Sequence, residues 1–133
     1  MTDTYYLTQA TEIAEKSTEK VPCGCVLVRR GKIITAQFNS QHADNMAINH
    51  AELKAVVAAN YTLGKRELTA TTAYCTCEPC AMCLTALSYA KVARIVYARS
   101  MADLSPGDPQ AKFDSQKFIK GLNFVPILEQ VLV

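Results

Sequence analysis

From residue 50 onward, stretches suited to helix and stretches suited to strand take turns along the chain. This alternation restricts the possible folds more than any other feature of the sequence. Residues 50–60 (His-Ala-Glu-Leu-Lys-Ala-Val-Val-Ala-Ala-Asn) are good helix formers closed by Gly64, whereas residues 70–76 are Thr-rich and β-prone. Pro79 then suits a helix start, residues 80–91 continue with Ala, Met, Leu and Lys, and Arg94-Ile95-Val96-Tyr97-Ala98 reads as the next strand. Residues 102–110 hold Asp, Ser, Pro and Gly and read as a loop. Phe113, Lys117, Phe118 and Leu122 keep helical spacing, and residues 125–133 close the chain as a strand. A strand, helix, strand succession is how parallel neighbours are joined, so the C-terminal strands are expected to be parallel.

The N-terminal third adds a helix and a hairpin. Leu7, Ala10, Ile13 and Ala14 form one apolar stripe over residues 5–16. Between residues 24 and 38, two apolar runs flank Arg29-Arg30-Gly31-Lys32, the kind of Gly-containing polar break that joins two strands. Five strands and their helices make an α/β fold, a three-layer α/β/α sandwich around a central mixed five-stranded sheet. A length of 133 residues is that of one ordinary domain.

Composition narrows the function classes. With 50% apolar and 20% charged residues the chain is globular, and no apolar run approaches the ~20 residues of a membrane span, so a membrane partner is not expected. The N-terminus shows no basic segment followed by an apolar one, which points to a cytoplasmic home. There, six cysteines are metal ligands, core fillers or catalysts before they are disulfide partners. A net charge of +2 offers little field for gripping a phosphate backbone.

Three fragments carry chemistry: His50-Ala51-Glu52 opening one helix, Pro79-Cys80-Ala81-Met82-Cys83 opening another, and Asn39 just after the second hairpin strand. Cys80 and Cys83 stand at i and i+3 and fall on one side of a helix, near an N-terminus that favours thiolates. Two thiolates and an imidazole select zinc, one ion per chain. Three protein ligands leave the fourth position for water, as in catalytic zinc. Glu52, two residues past His50, shares the site only if that site lies at the helix end, and there it suits general acid/base work. Cys80 and Cys83 could instead be half of a structural zinc knuckle, or join Cys75 and Cys77 in a four-sulfur site. That arrangement, a non-catalytic zinc-stabilised binding domain, leaves His50 and Glu52 without a purpose.

His-x-Glu followed by Pro-Cys-x-x-Cys is the general signature of zinc nucleobase deaminases. The chain resembles the cytidine and deoxycytidylate deaminase superfamily, most closely the branch of bacterial tRNA adenosine deaminases, guanine deaminases and fungal-type cytosine deaminases. Residues 21–28 (Val-Pro-Cys-Gly-Cys-Val-Leu-Val), Phe38-Asn39 and residues 77–83 (Cys-Glu-Pro-Cys-Ala-Met-Cys) carry the likeness, which extends over about residues 20–98. It implies hydrolytic removal of an exocyclic amine with Glu52 as catalyst. It also implies that Asn39 hydrogen-bonds the base, that the Ala51 N–H meets the ring substituent, that Val21 walls the base, and that Cys77 and Glu78 line the pocket. The family commonly forms homodimers or larger homo-oligomers.

Two departures stand out. Met46-Ala47-Ile48-Asn49 replaces the branch's usual Asp-Pro-Thr-Ala before the His, and the loop after residues 94–98 is acidic and Pro-rich. Together with the low net charge, these favour a small purine or pyrimidine base, nucleoside or nucleotide as substrate; tRNA wobble adenosine is the alternative. Cys23, Cys25 and Cys75 read as small core residues. His42 reads as a solvated loop residue, and Tyr5, Tyr6 and Tyr61 as packing residues.

Overall fold

A computed structural model describes residues Met1–Val133. Helix α1 (Asp3–Ala14) leads into a hairpin of β1 (Gly24–Arg29) and β2 (Lys32–Phe38). Then follow α2 (Ala51–Leu63), β3 (Thr71–Cys77), α3 (Ala81–Tyr89), β4 (Arg94–Arg99), a short α4 (Met101–Leu104), a 3-10 turn at Pro109–Lys112, α5 (Ser115–Ile119) and β5 (Ile127–Gln130). The sheet order is β2-β1-β3-β4-β5. β1 is antiparallel to both β2 and β3, while β3–β4 and β4–β5 are parallel, so the sheet is mixed as expected.

The two-residue periodicity of the strands divides the core into two layers. Cys25 and Leu27 of β1, Ala73 and Cys75 of β3, and Ile95 and Tyr97 of β4 face α2, α3 and α5, where they meet Ala55, Ala59, Leu84 and Leu87. The alternate residues, Val26, Val28, Tyr74, Val96 and Ala98, face α1 and meet Tyr6, Leu7 and Ala10. Strands β1 and β4 are therefore buried on both sides and read as nearly unbroken apolar runs, the pattern of a sheet covered by helices on each face.

The hairpin turn matches its chemistry. Arg30 and Gly31 both have positive φ, 53° and 75°, the combination of a type I′ turn whose twist suits the two flanking strands. α1 closes on β1 so tightly that a Cβ built on Gly24 would lie 2.1 Å from the Ala10 carbonyl oxygen. The start of α1 is pinned to the far strand: Arg94 donates from two guanidinium nitrogens to the Asp3 carboxylate at 2.8 and 2.7 Å, and the Tyr74 hydroxyl donates to Asp3 at 2.8 Å.

The C-terminal third differs from expectation in detail. The loop at 102–110 contains α4 and the 3-10 turn, because Ser100, Asp108 and Asp114 each cap a short helical segment through their side chains. The helix expected through Phe113–Leu122 is only α5, and the last strand is shorter than residues 125–133. Tyr61 is 86% exposed, so it packs against nothing within the chain, whereas Tyr6 is buried.

Two outcomes test this architecture. Gly24→Ala should destabilise the protein by about 1–3 kcal/mol through overpacking between α1 and β1, read as a lowered urea midpoint. Asp3→Asn should cost about 1 kcal/mol near neutral pH. Its hydrogen bonds from Arg94 hold the Asp3 carboxyl below its ordinary 3.8, so this contribution is complete above that value and is lost as pH falls through the folded pKa. The gap between wild type and Asp3→Asn should therefore narrow as pH falls below 3.8.

Candidate metal centre and substrate pocket

Two helix starts converge on one point. His50 is the N-cap of α2 and Cys80 the N-cap of α3, both in extended backbone conformation, and neither side chain caps its own helix. Each turns instead toward the other, and Cys83 reaches the same point from the first turn of α3. The His50 Nδ1 lies 3.7 Å from the Cys80 Sγ and 3.6 Å from the Cys83 Sγ. All three donor atoms lie within 4.8 Å of one another. Tetrahedral zinc with Zn–S of about 2.3 Å and Zn–N of about 2.0–2.1 Å requires a sulfur–nitrogen separation of about 3.6 Å, so the trio is spaced for that ion. Cys75 and Cys77 lie outside this cluster, Cys77 bonded to Cys23 and Cys75 against Cys25 in the core, which leaves no four-sulfur site.

Electrostatics favour a cation here. Cys80 is held down to about 4, first by the hydrogen bond from Cys83 and then by His50, in opposition to its burial. Cys83 is raised well above the thiol range by the same partnership, and Cys80 raises His50. Glu52, in the first turn of α2, is 5% exposed. Burial pushes its carboxyl up to about 7, partly opposed by the neighbouring Cys83 thiol.

His50 and Cys80 border a pocket of about 290 Å³. Val21, Asn39, Ala51, Cys77 and Glu78 line it beside His50, Glu52 and Cys80, so every residue singled out in the sequence except the buried Cys83 reaches it. Their engagements differ. The Asn39 Oδ1 accepts from the Cys23 N–H at 2.9 Å and from the Ser17 hydroxyl at 2.7 Å, and its Nδ2 donates to the Val21 carbonyl at 2.9 Å. Asn39 thus braces the Val21–Cys23 wall and keeps one Nδ2 hydrogen for a ligand. Ala51 opens α2, and its N–H is one of the donors that a helix start leaves unpaired.

Glu78 lines the pocket and is also braced from the C-terminal side. The Met101 N–H and the Ser115 hydroxyl both donate to it at 2.7 Å, tying the metal-bearing segment to the C-terminal wall. That wall supplies Met101, Leu104, Ser105 and Gln110, all from the stretch after β4 where the sequence departs from its branch. An adjoining groove of about 520 Å³ continues outward over Met82, Lys112 and Phe113. On the opposite side Gln41 lines the pocket with its Oε1 buried and unpartnered, while Met46 and Ile48 of the altered segment point to solvent.

Cys25 and Cys75 are free and buried in the core, as expected. Cys23 is not a simple core filler: it is disulfide-bonded to Cys77, and both line the pocket. The signal for this was the pair of Cys-x-Cys motifs, 23–25 and 75–77, on strands that turn out to be neighbours. His42 is exposed, yet it is not idle, since its Nδ1 lies 2.6 Å from the Glu19 carboxylate.

Residues 1–99 match the family model of the cytidine and deoxycytidylate deaminase zinc-binding region. The chain belongs to this family. A tRNA-specific adenosine deaminase of Streptococcus pyogenes serotype M18 (strain MGAS8232) is 40% identical over 99 residues, 73% of this chain and 62% of that relative. Among solved structures, a tRNA:A34 deaminase studied for A-to-I editing at the wobble position of transfer RNA superposes with a TM-score of 0.75 at 27% identity, covering 92% of this chain and 91% of that one. A guanine deaminase from Bacillus subtilis gives 0.73 at 31% identity, covering 90% and 76%. The curated relative is thus matched over about three-fifths of its length. The deaminase family's zinc-binding region coincides here with the His50, Cys80 and Cys83 trio.

The role of Glu78 is open to measurement. Hydrogen bonds to a carboxylate are each worth about 1.5–3 kcal/mol. Glu78→Ala should therefore speed amide exchange at Met101 by roughly tenfold or more while the protein still binds one zinc per chain. Unchanged exchange at Met101 would show that the wall is held by other contacts.

Proposed function

We propose that this chain is a zinc-dependent hydrolytic deaminase that converts the exocyclic amine of a purine to a carbonyl and releases ammonia, acting on adenosine presented in tRNA. The observation that carries the chemistry is Glu52, a buried carboxyl poised at about 7 in the wall of a pocket that also exposes His50 and Cys80. A purely structural zinc site has no use for such a group, whereas a general acid/base works best with a pKa near the operating pH.

Zinc held by His50, Cys80 and Cys83 would supply Lewis acidity that makes water a nucleophile at neutral pH. Glu52 takes the proton that the attacking water loses and delivers it to the ring nitrogen beside the reacting carbon. It then takes up the second proton of that water and passes it to the amine, which leaves as ammonia. Water plus amine becomes carbonyl plus ammonia, and Glu52 ends as it began. The Ala51 N–H and the remaining Asn39 Nδ2 hydrogen are placed as donors to the base, and Val21 packs against it. Enclosure by Met101 and Leu104 limits bulk water, which strengthens each of these polar contacts.

Similarity to the tRNA-specific adenosine deaminase supports the tRNA substrate, as does the groove that carries the pocket outward past Lys112 and Phe113, offering room beyond a single base. A free purine is the second reading. The 31% identical guanine deaminase favours it, and so does a pocket volume near that of one base and its contacts. Val57, Tyr61 and Tyr89 are exposed on α2 and α3, consistent with a homo-oligomer covering them.

Ammonia release by the zinc-loaded protein, measured on a tRNA anticodon stem-loop and on free adenine, adenosine, guanine, cytosine and deoxycytidylate, tests the proposal. Turnover of the stem-loop is expected, falling by about 10²–10⁴ in Glu52→Gln with zinc still bound. Turnover of a free base alone would move the substrate to the second reading. Full activity in Glu52→Gln would overturn the mechanism.

A further inference from the structure

Two Cys-x-Cys segments face each other across the sheet. In the antiparallel register of β1 and β3, Cys25 stands opposite Cys75. One two-residue step toward the pocket brings Cys23 opposite Cys77 on the same face. The four sulfurs form two rungs of one ladder. The inner rung is a pair of free thiols, fully buried, with sulfurs 3.8 Å apart. The outer rung is a disulfide with Cα atoms 5.8 Å apart, and it lines the pocket shared with Glu52 and Cys80. Only the outer rung is reachable by a small thiol or disulfide from solvent.

We propose that Cys23–Cys77 is a reversible thiol–disulfide modification site built into the wall of the substrate pocket, and that its bond fixes the wall on which the base is positioned. The proposal rests on the deaminase reading of that pocket. Cys23 lies in the segment that Asn39 braces through the Cys23 N–H and the Val21 carbonyl. Cys77 leads through Glu78 and Pro79 to the ligand Cys80. The disulfide therefore ties the base-contacting wall to the metal-bearing segment. When it is reduced, the sulfurs part from a covalent bond of about 2 Å to a non-bonded separation like that of the inner rung. Both thiols then have acceptors at hand: the Cys23 Sγ lies 3.6 Å from the Val21 carbonyl oxygen and the Cys77 Sγ 3.7 Å from that of Pro22. Neither state strands a polar group.

The chemistry balances with an external low-molecular-weight disulfide as oxidant. One cysteine thiolate attacks it, forming a mixed disulfide and releasing one thiol. The second cysteine thiolate attacks the protein-bound sulfur of that mixed disulfide, releasing the second thiol. Two electrons pass from the cysteine pair to the external disulfide, and the two cysteine protons leave with the released thiols. A low-molecular-weight thiol reverses both steps.

A cross-linked wall is pre-organised, so less ordering accompanies substrate binding. Reduction should raise KM by about three- to tenfold and leave kcat within about twofold, because Glu52 and the ligand trio are untouched. The zinc-loaded protein is equilibrated with reduced or oxidised glutathione and followed by peptide mass, zinc content, steady-state kinetics and amide exchange. Cys23→Ser and Cys77→Ser are carried in parallel. Expected are a loss of about 2 Da on a peptide pair linking 23 to 77 and one zinc in both states. A lower KM and slower exchange at residue 23 should accompany oxidation; each variant, lacking the second thiol, should stop at the mixed disulfide with glutathione and show neither change. No 23–77 link at any poise, zinc lost together with oxidation, or KM and exchange equal in the two states would each overturn the proposal. Mass and exchange need no turnover. A protein that forms the link and protects Cys23 but deaminates nothing would therefore refute the deaminase reading alone.

Discussion

Everything at the site depends on the pairing of β3 with β1 on one side and β4 on the other. β3 ends at Cys77, and three residues later the chain delivers Cys80 to the metal site. β1 begins just after the Val21–Cys23 wall, and β2 ends just before Asn39, which staples that wall. β4 runs out into Met101, whose N–H is held by Glu78. Each of these four strands therefore has one end at the pocket edge, within a few positions of a residue that lines it. Because β1, β3 and β4 are buried on both faces, a slip by one residue would carry every core side chain to the wrong layer, so the register is strongly specified. The precision of the site is inherited from the core.

Helix starts complete the arrangement. A helix N-terminus leaves unpaired N–H groups and a partial positive charge, which stabilise thiolates and offer donors to a ligand. Here α2 and α3 both begin at the site, and the side chains that would ordinarily cap them, His50 and Cys80, are diverted to ligand duty. Glu52 is the one buried acid in this region, and its raised pKa expresses the cost of keeping a carboxylate away from water.

The fold class was readable because its determinants are local. Short apolar, β-prone runs in β1, β3 and β4, the Arg30-Gly31 turn and the Ala-rich helices announce themselves within short windows. The metal trio was readable for the same reason, since His50-Ala51-Glu52 and Cys80 to Cys83 are short motifs with a chemical meaning. Short capped turns such as Met101–Leu104 were not, because helix length and side-chain capping there are settled by contacts with the pocket wall. Glu78 shows a different limit: its hydrogen bonds with residues 101 and 115 form only when the chain's return brings those partners alongside.

By itself, then, the sequence determined the strand and helix alternation, the His50, Cys80 and Cys83 set and the Glu52 carboxylate beside it. All of these depend on residue type and spacing within a few turns of chain. Only the tertiary structure decided which cysteines meet. Cys23 and Cys77 are 54 positions apart, and their bond exists because the β1–β3 register sets them opposite one another at the rim of a pocket. It also decided that Asn39 braces the Val21–Cys23 wall, and which residues of 101–110 line the pocket. Contacts between distant segments depend on how strands pair and layers pack, and no local pattern encodes that pairing on its own.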